Sequence, residues 1–573
     1  MYIQRNKSKN SKTGKEYSSV LLCSKYREGK KVKTKTVANL SNFPENVILS
    51  IENTLKSDRE TTVLLKDIVV SKCIDYGYVF VLLFIMKELR IDEVLSKTLS
   101  KSDASLVKAM IIGKIITGGS KLFIFNWLKR EIEICKLFDL DINKYKVDNL
   151  YYSLGQLWLN QPQIEKKWFR YHQLSRRRIY FYDITSTYFE GTENPLAAYG
   201  YSRDGKSGKL QMCVGLLTCE DGFPIRIQAF SGNTSDSTTV AEQIHLLKKE
   251  FNVQDIVFVG DRGMHIEYNL ENDPELANEN INFITGLTHS QIQTLIAQGT
   301  FQLSLFNTEI AEVSLDGKRY ILSENPDLKR KEQYFLDNRR KDCDELIDEV
   351  RQSWVKRCAK NAENLQKKQE KGKYKKLKTE LTDKDIKNYT RRVERIVEKM
   401  GMNKYYNVEI IDNAAFTVQF DQKEFDTKRS LCGKYAVYTN VCAQEMTASE
   451  VRGQYKNLQN VEHAFRNLKS ENICIRPVYH HNENQTRGHV LLCMFAYVIV
   501  KMLENRLFPF LMQYNKKNKT KLSFNDLTAE LDNIKMCELK IGRGLASIHY
   551  PELNPLQKEI FSALKIDPKK LTG

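Results

Sequence analysis

The stretch RRRIYFYDITSTYFEG, residues 176–191, decides how we interpret the fold. It is rich in β-branched and aromatic residues, which favour a strand. Two similar segments follow, KLQMCVGLLTC (209–219) and FPIRIQAFS (223–231), separated by the turn sequence EDG. We therefore predict that the three segments are antiparallel neighbours in one sheet.

The next segments extend this sheet by a crossover. SDSTTVAEQIHLLKKEF (235–251) has the pattern of a helix, and DIVFVGDRG (255–263) and NFITGL (282–287) have the pattern of strands. Strands, a crossover helix and further strands predict an α/β domain with a mixed sheet. We assign residues 173–300 and 440–515 to this domain.

The remaining regions differ from it in composition. Residues 1–60 are basic and strand-rich, with a hairpin predicted where YSSVLLCSKY and KVKTKTVANL flank REGK. Residues 61–172 are predicted to be helical, either as a plain bundle or as a helix-turn-helix-like DNA-binding domain. Residues 301–439 are predicted to be an insertion of strands and basic helices, and residues 516–573 a helical tail.

The charge of the chain points to a polyanion. The 573 residues carry a net charge of +18, and within 356–399 there are 16 Lys or Arg against 7 Asp or Glu. Half of the surplus therefore lies in the predicted insertion. Nucleic acid is a better partner than anionic lipid, because no amphipathic membrane helix or membrane span is evident. The twelve cysteines form no CxxC pair, and the first residues are polar, so we expect a cytoplasmic protein.

Two aspartates occupy unusual positions in the predicted strands. Asp183 interrupts an apolar strand, where a carboxylate is costly unless it is paired or bound to a metal. Asp261 ends the strand DIVFVGD, at the edge of the sheet where ligands bind in α/β proteins. The alternatives are a capping role for Asp183 and a turn-forming role for Asp261.

A third acid lies in TASEVRGQYKNLQNVEHAFRNLKSEN (447–472), which is predicted to be one helix opened by a capping box at Thr447 and Glu450. At about 100° per residue, Glu462 and Lys469 lie on the same stripe as apolar residues. We therefore expect Glu462 to face the protein, either in a functional site or in a buried pair with Lys469.

Three inward carboxylates in a basic protein suit one chemistry. A site whose ligands are all oxygen atoms suits Mg²⁺, and Mn²⁺ is the alternative. Two such ions about 4 Å apart can activate a nucleophile and stabilise a leaving oxygen during phosphodiester cleavage. The residues thus predict a site for two divalent cations that acts on nucleic acid.

The motifs YFYDITSTYFEG, VFVGDRGM and YKNLQNVEHAFRNLK resemble, in this order, bacterial insertion-sequence transposases of the DDE class. The group resembled has a Y-x2-R-x3-E-x6-K signature and a ribonuclease-H-like core with a large insertion. The resemblance implies that Asp183, Asp261 and Glu462 bind the metals. It also implies that Tyr455 and Lys469 contact DNA phosphates. The arginine of the signature falls at Leu458, and Arg466 is a candidate to replace it.

The resemblance implies a function with two alternatives. A transposase would bind the terminal inverted repeats of its element as a dimer, hydrolyse a phosphodiester and transfer the 3′-OH to target DNA. The alternatives are a nuclease of the same fold without strand transfer and a non-catalytic DNA-binding derivative. The histidines His480, His481 and His489 are predicted to be structural, because no Cys or acidic ligand has a fitting spacing. Asp236 is predicted to form a turn.

Overall fold

The computed structural model describes residues 1–9, 16–29, 31–56, 68–206, 208–370, 383–411, 415–470, 473–541, 545–550 and 552–572. The chain forms two compact units. The smaller unit consists of Met1–Ile85 and Lys501–Gly573, and the larger one of Met86–Val500.

The strands found in the described residues run in chain order as follows: β1 (Tyr2–Lys9), β2 (Glu16–Glu28), β3 (Lys31–Asn39), β4 (Ile68–Asp75), β5 (Ile179–Tyr188), β6 (Gln211–Cys219), β7 (Pro224–Ser231), β8 (Val257–Gly260), β9 (Asn282–Gly286), β10 (Ala311–Leu315), β11 (Lys318–Glu324), β12 (Tyr406–Ile411), β13 (Ala415–Phe420), β14 (Lys434–Thr439), β15 (Lys535–Ile541) and β16 (Leu545–His549).

The helices are α1 (Glu45–Lys56), α2 (Gly77–Glu88), α3 (Ile91–Ser96), α4 (Lys101–Thr117), α5 (Lys121–Arg130), α6 (Ile132–Lys136), α7 (Val147–Leu159), α8 (Gln161–Tyr171), α9 (Val240–His245), α10 (Ile266–Asn272), α11 (His289–Ala297), α12 (Pro326–Gln369), α13 (Asp383–Lys399), α14 (Gln422–Ser430), α15 (Ala448–Asn457), α16 (Gln459–Leu468), α17 (Glu483–Asn518), α18 (Phe524–Asp532) and α19 (Pro555–Ala563).

Two antiparallel sheets belong to the smaller unit. Strands β1, β2 and β3 form one sheet, and β16, β15 and β4 form the other. Glu28 of β2 lies opposite Lys31 of β3, which confirms the predicted hairpin. Gly29 between them has a φ of 61°, which L side chains rarely adopt, so glycine suits this turn.

The second of these sheets corrects two expectations. Residues 68–75, predicted to be helical, form β4, and the predicted helical tail contains β15 and β16. The β-branched run Ile68-Val69-Val70 favours a strand. Its partner β15 lies more than 450 residues away in sequence, so local patterns gave no sign of the pairing.

The larger unit contains a mixed sheet of eight strands in the order β10-β11-β14-β9-β8-β5-β6-β7. Strands β5, β6 and β7 are antiparallel neighbours, as predicted, and β8 and β9 run parallel to β5. Every residue of β6 is buried, because the sheet is covered on both faces. The predicted α/β class with a mixed sheet is confirmed.

The strands near both ends of the predicted insertion belong to this same sheet. β11 pairs with β14, and β14 pairs with β9, so the sheet continues beyond residue 300. Between β11 and β14 lie α12, α13, the β12–β13 hairpin and α14, which share a separate apolar core around Trp354 and Tyr389. The helices α12 and α13 agree with the basic helices predicted within residues 301–439. The lysine-rich residues 371–382 lie outside the described residues.

Helices α3 to α8 precede the sheet, as predicted for the region up to residue 172. Helix α4 ends at Gly118, whose φ of 61° favours glycine. Ser120 then caps α5 by accepting a hydrogen bond from the backbone N–H of Phe123. In the part of the chain that the structure describes, no helix is both long enough and apolar enough to cross a bilayer.

Candidate active site

Neighbouring parallel strands carry the first two predicted acids. Tyr182 of β5 lies opposite Gly260 of β8, so Asp183 and Asp261 each follow a paired position. Adjacent strands are about 4.8 Å apart, and residues in register in a parallel pair point to the same face. The register therefore brings these two carboxylates together at one edge of the β5–β8 pair.

Asp183 is the least solvated of the predicted acids. Its pKa is raised to about 7: burial is the largest cause, the charges of Asp261 and Glu462 add to it, and the backbone N–H of Ile184 opposes it by favouring the ionised form. That N–H donates to Asp183 Oδ1 at 2.8 Å. Both other acids thus act on Asp183 electrostatically, which places the three residues in one carboxylate cluster.

Glu462 lies in the first turn of α16, which packs on β5 and β6. Its side chain is exposed, and so is that of Asp261. The expectation that Glu462 faces the protein interior was therefore wrong. Asp183 alone of the three acids is shielded from solvent.

The reason for this error is the direction of the buried stripe. The capping box of Thr447 and Glu450 is confirmed, and a turn at Leu458 separates α15 from α16. The buried residues of α16 are Val461, Ala464, Phe465 and Leu468. Glu462 follows Val461 directly and is thus about 100° away from it around the helix, at the edge of the buried stripe.

Tyr455 contacts the second acid. Its hydroxyl donates to Asp261 Oδ1 at 3.2 Å. Burial and the neighbouring Asp261 carboxylate both raise the pKa of Tyr455, so the phenol stays protonated as a donor. A Cβ at Gly286 would lie 2.4 Å from the Tyr455 hydroxyl oxygen, so glycine at this position leaves room for the ring.

Lys469 is paired inside the protein. Its ammonium donates to Thr185 Oγ1 at 2.6 Å and to Asp204 Oδ1 at 2.9 Å. Arg476 forms an ion pair with the other Asp204 oxygen at 2.6 Å. Lys469 thus ties the Asp204 loop to β5 two residues after Asp183, and burial lowers its pKa.

Two residues near the cluster, Arg203 and Asp204, were not predicted as functional. Arg203 donates from its backbone N–H to Ser186 Oγ and from its guanidinium to Asp236, and its charge favours the ionised form of Asp183. Asp204 joins Lys469 and Arg476. The sequence SRDGK carried no signal beyond its charges. A cavity of about 460 Å³ beside these residues is lined by Tyr199, Tyr201, Arg203, Asp236 and Gly263, among others.

The other residues that the resemblance implied are on α16 or at its start. Leu458, where the signature has arginine, is buried. Arg466 is exposed in the last turn of α16, one turn after Glu462, and so lies on the same helix face as Glu462. Arg466 is thus accessible to a ligand at the carboxylate cluster.

The donor set of the carboxylate cluster fits Mg²⁺ or Mn²⁺. All of its donors are oxygens, and a cation between the acids would relieve the repulsion that raises the pKa of Asp183. Among the described residues, however, the only three potential ligand atoms that all lie within 4.8 Å of one another belong to His245, Asp273 and Glu275. Those residues are held by mutual contacts and by Lys249. The acids of the cluster would thus have to draw closer around an ion.

The comparison with known proteins concerns the N-terminal region. Residues 5–62 match the IS1634 family transposase, N-terminal domain. This match supports an insertion-sequence transposase, a class of enzyme that binds and cuts DNA. No curated protein matches the chain. The matched residues do not include the carboxylate cluster, so the match bears on the class of protein and leaves its chemistry open.

Proposed function

We propose that the chain is a DDE-class transposase whose carboxylate cluster of Asp183, Asp261 and Glu462 binds two Mg²⁺ ions, or Mn²⁺. It would cleave DNA at the ends of its element and join the freed 3′-OH to target DNA in the bacterial cytoplasm. The observation that carries the proposal is the β5–β8 register, which brings Asp183 and Asp261 to adjacent strand positions, with Glu462 on α16, a helix that packs on β5.

The architecture agrees with this proposal. A mixed sheet interrupted by a helical insertion is what the resemblance to ribonuclease-H-like transposases implies. The insertion lies between the second and third acids, and the match at residues 5–62 supports an insertion-sequence transposase independently of the acids.

The residues around the cluster would each have a definite task. Two bound ions would supply the activation of water or of a 3′-OH and the stabilisation of the leaving oxygen. Tyr455 fixes one Asp261 oxygen and leaves the other free to bind a ligand. Lys469, through Thr185, fixes the strand that carries Asp183. Arg466 is free to contact a phosphate, which makes it the best candidate for the role of the missing signature arginine.

DNA binding is expected from the charge of the chain. The net charge of +18 would favour association with a phosphate backbone and would make binding salt-dependent. Two element ends must be held together for strand transfer, so we propose that the protein acts as a homodimer on DNA.

The test is cleavage of end DNA by Glu462→Gln. The variant keeps the size of the side chain and should bind the DNA as the wild type does, yet should not cut it with Mg²⁺. Glu349→Gln, which changes an exposed carboxylate of α12, is the matched control and should cut normally. Normal cleavage by Glu462→Gln would contradict the proposal.

A second substrate separates the alternatives. With a pre-cut end that carries a 3′-OH, a transposase gives a joined product, whereas a nuclease of the same fold gives none. Activity that is independent of divalent cations would contradict the metal mechanism, and binding without any cleavage would indicate a non-catalytic derivative.

A further inference from the structure

A second cavity in the larger unit has the opposite electrostatic character. It encloses about 740 Å³ and lies among the end of α4, the start of α5, α7 and the segment that enters α17. Its wall includes Lys114, Lys121, Arg476, His480 and His489, and one carboxylate, Asp148. The volume lies within the range of cavities that hold small organic ligands.

Two lysines of this wall are buried without a counter-ion. Lys114 is 4% exposed and Lys121 is 3% exposed. Lys114 donates to the carbonyl oxygens of Gly118 and Gly119, and the Lys121 ammonium lies 2.6 Å from His489 Nδ1. Within the described ranges, none of these partners is a carboxylate. Buried ammonium groups without compensating charge are costly, so their retention needs an explanation.

The neighbours of Lys121 increase this cost. Burial, as the largest cause, and the charge of the nearby Lys114 together lower the pKa of Lys121 to about 7. Burial and the lysines also lower the pKa values of His480 and His489 well below the usual range. An anion in the cavity would compensate the positive charge that lies beside each of these groups.

The backbone favours the same ligand. Ser120 is the N-cap of α5, a ten-residue helix, Lys121 is its first residue, and both line the cavity. A helix N-terminus carries partial positive charge and unsatisfied N–H groups, which bind phosphate. Ammonium, guanidinium and hydroxyl donors converging on one space match the several acceptor oxygens of a phosphate better than a single carboxylate.

We propose that this cavity binds a phosphate group, with Lys121 and Lys114 as its charged donors and Arg476 at its rim. The phosphate would belong either to a free nucleotide or to the backbone of bound DNA. The site does not require the carboxylate cluster to be catalytic.

The cavity is joined to the strand of the first acid by ion pairs. Arg476 shares Asp204 with Lys469, and Lys469 donates to Thr185. A phosphate that attracts Arg476 would weaken its pair with Asp204 and so would change the charge around Lys469. Binding of phosphate in the cavity would therefore change the electrostatic environment beside Asp183.

The test measures stabilisation of the full-length protein by inorganic phosphate and by dAMP, against chloride at equal ionic strength. Both should raise the Tm of the wild type and of the control Lys101→Met, which changes an exposed lysine of α4. Lys121→Met removes a buried charge and keeps the length of the side chain, so it should fold. It should lose the rise in Tm with both ligands if the site serves free nucleotides.

Binding of a short DNA duplex distinguishes the other source. If the phosphate comes from DNA, Lys121→Met should weaken duplex binding at least tenfold more than Lys101→Met does, with or without an effect of dAMP. If phosphate, dAMP and duplex all act equally on Lys121→Met and on the wild type, the proposal is overturned.

A measurement on the wild type covers the case in which Lys121→Met does not fold. Backbone amide hydrogen exchange in residues 118–123, which border the cavity, should slow when the cavity is occupied, as measured by peptide mass spectrometry. Slower exchange with phosphate, dAMP or duplex supports the site, and exchange that none of the three changes contradicts it.

Discussion

The carboxylate cluster and the cavity lined by Lys114 and Lys121 carry opposite charges. They differ in how the protein tolerates those charges. In the cluster, one acid is shielded while its two partners, Asp261 and Glu462, are exposed, so solvent reduces the repulsion. In the cavity, Lys114 and Lys121 are both buried and neither has a carboxylate partner among the described residues. The cluster is thus open to an arriving phosphate and its metals, whereas the cavity already has donors arranged around an enclosed space.

The largest expected effect concerns Asp183. Asp183→Asn removes the shielded acid and should reduce end cleavage on the order of 10⁴-fold, as expected for loss of a central catalytic group. Because it also removes the carboxylate whose pKa burial raises, the variant should be at least as stable as the wild type. A cleavage assay and a urea titration at pH 7.5 test both parts. Lost cleavage together with lost stability would indicate a structural role.

Glu165 allows a direct comparison with Asp183, because it is a buried acid outside the carboxylate cluster. Burial raises its pKa from the usual 4.5 to about 7, although Arg226 and Gln161 favour its ionised form. Its stabilising contribution is therefore complete below pH 4.5 and is lost as the pH rises through 7. Glu165→Gln should remove this pH dependence and stabilise the protein by about 3 kcal/mol at pH 8.

The measurement is urea unfolding of wild type and Glu165→Gln between pH 4 and pH 8. Equal slopes of stability against pH in the two proteins would contradict the assignment. Glu242→Gln, at a more exposed acid that also pairs with Arg226, is the control and should leave the slope nearly unchanged.

Tyr455→Phe tests whether the exposed part of the cluster needs positioning. Loss of the hydrogen bond to Asp261 should lower cleavage about 10- to 100-fold, as expected for a residue that orients a metal ligand. The apparent affinity for Mg²⁺ should fall with it, and end-DNA binding should not change. Unchanged Mg²⁺ dependence would show that the bond does not position Asp261.

Arg466→Gln should have the smallest effect. A single phosphate contact adds about one unit to the slope of log K against log salt, and the variant should lose that amount. The matched control is Lys101→Met, on an exposed lysine of α4 away from the carboxylate cluster. An equal salt slope in both proteins would exclude Arg466 as a DNA contact.

The sequence predicted what depends on local pattern. The strand around Asp183, the hairpin near Gly29 and the capping box at Thr447 are each encoded by neighbouring residues. It did not predict the pairing of β4 with β15, which joins distant segments. The exposure of Glu462 was missed because Glu462 lies at the edge of the buried stripe of α16, which is centred near Val461.

Site residues that act through partners were also beyond the sequence. Asp204 has no distinctive motif, yet it joins Lys469 to Arg476. The histidines His480 and His489 were interpreted as structural, and only the position of Lys121 beside them shows that they form part of a positively charged cavity.

The central claim is that the three acids of the carboxylate cluster bind divalent cations for DNA cleavage. Anomalous diffraction from crystals of the full-length protein grown with Mn²⁺ tests it most directly. We expect two Mn²⁺ peaks about 4 Å apart, with oxygens of Asp183, Asp261 and Glu462 as the ligands of the ions. A dataset with no peak at these residues, or with Mn²⁺ bound only at His245, Asp273 and Glu275, would contradict it.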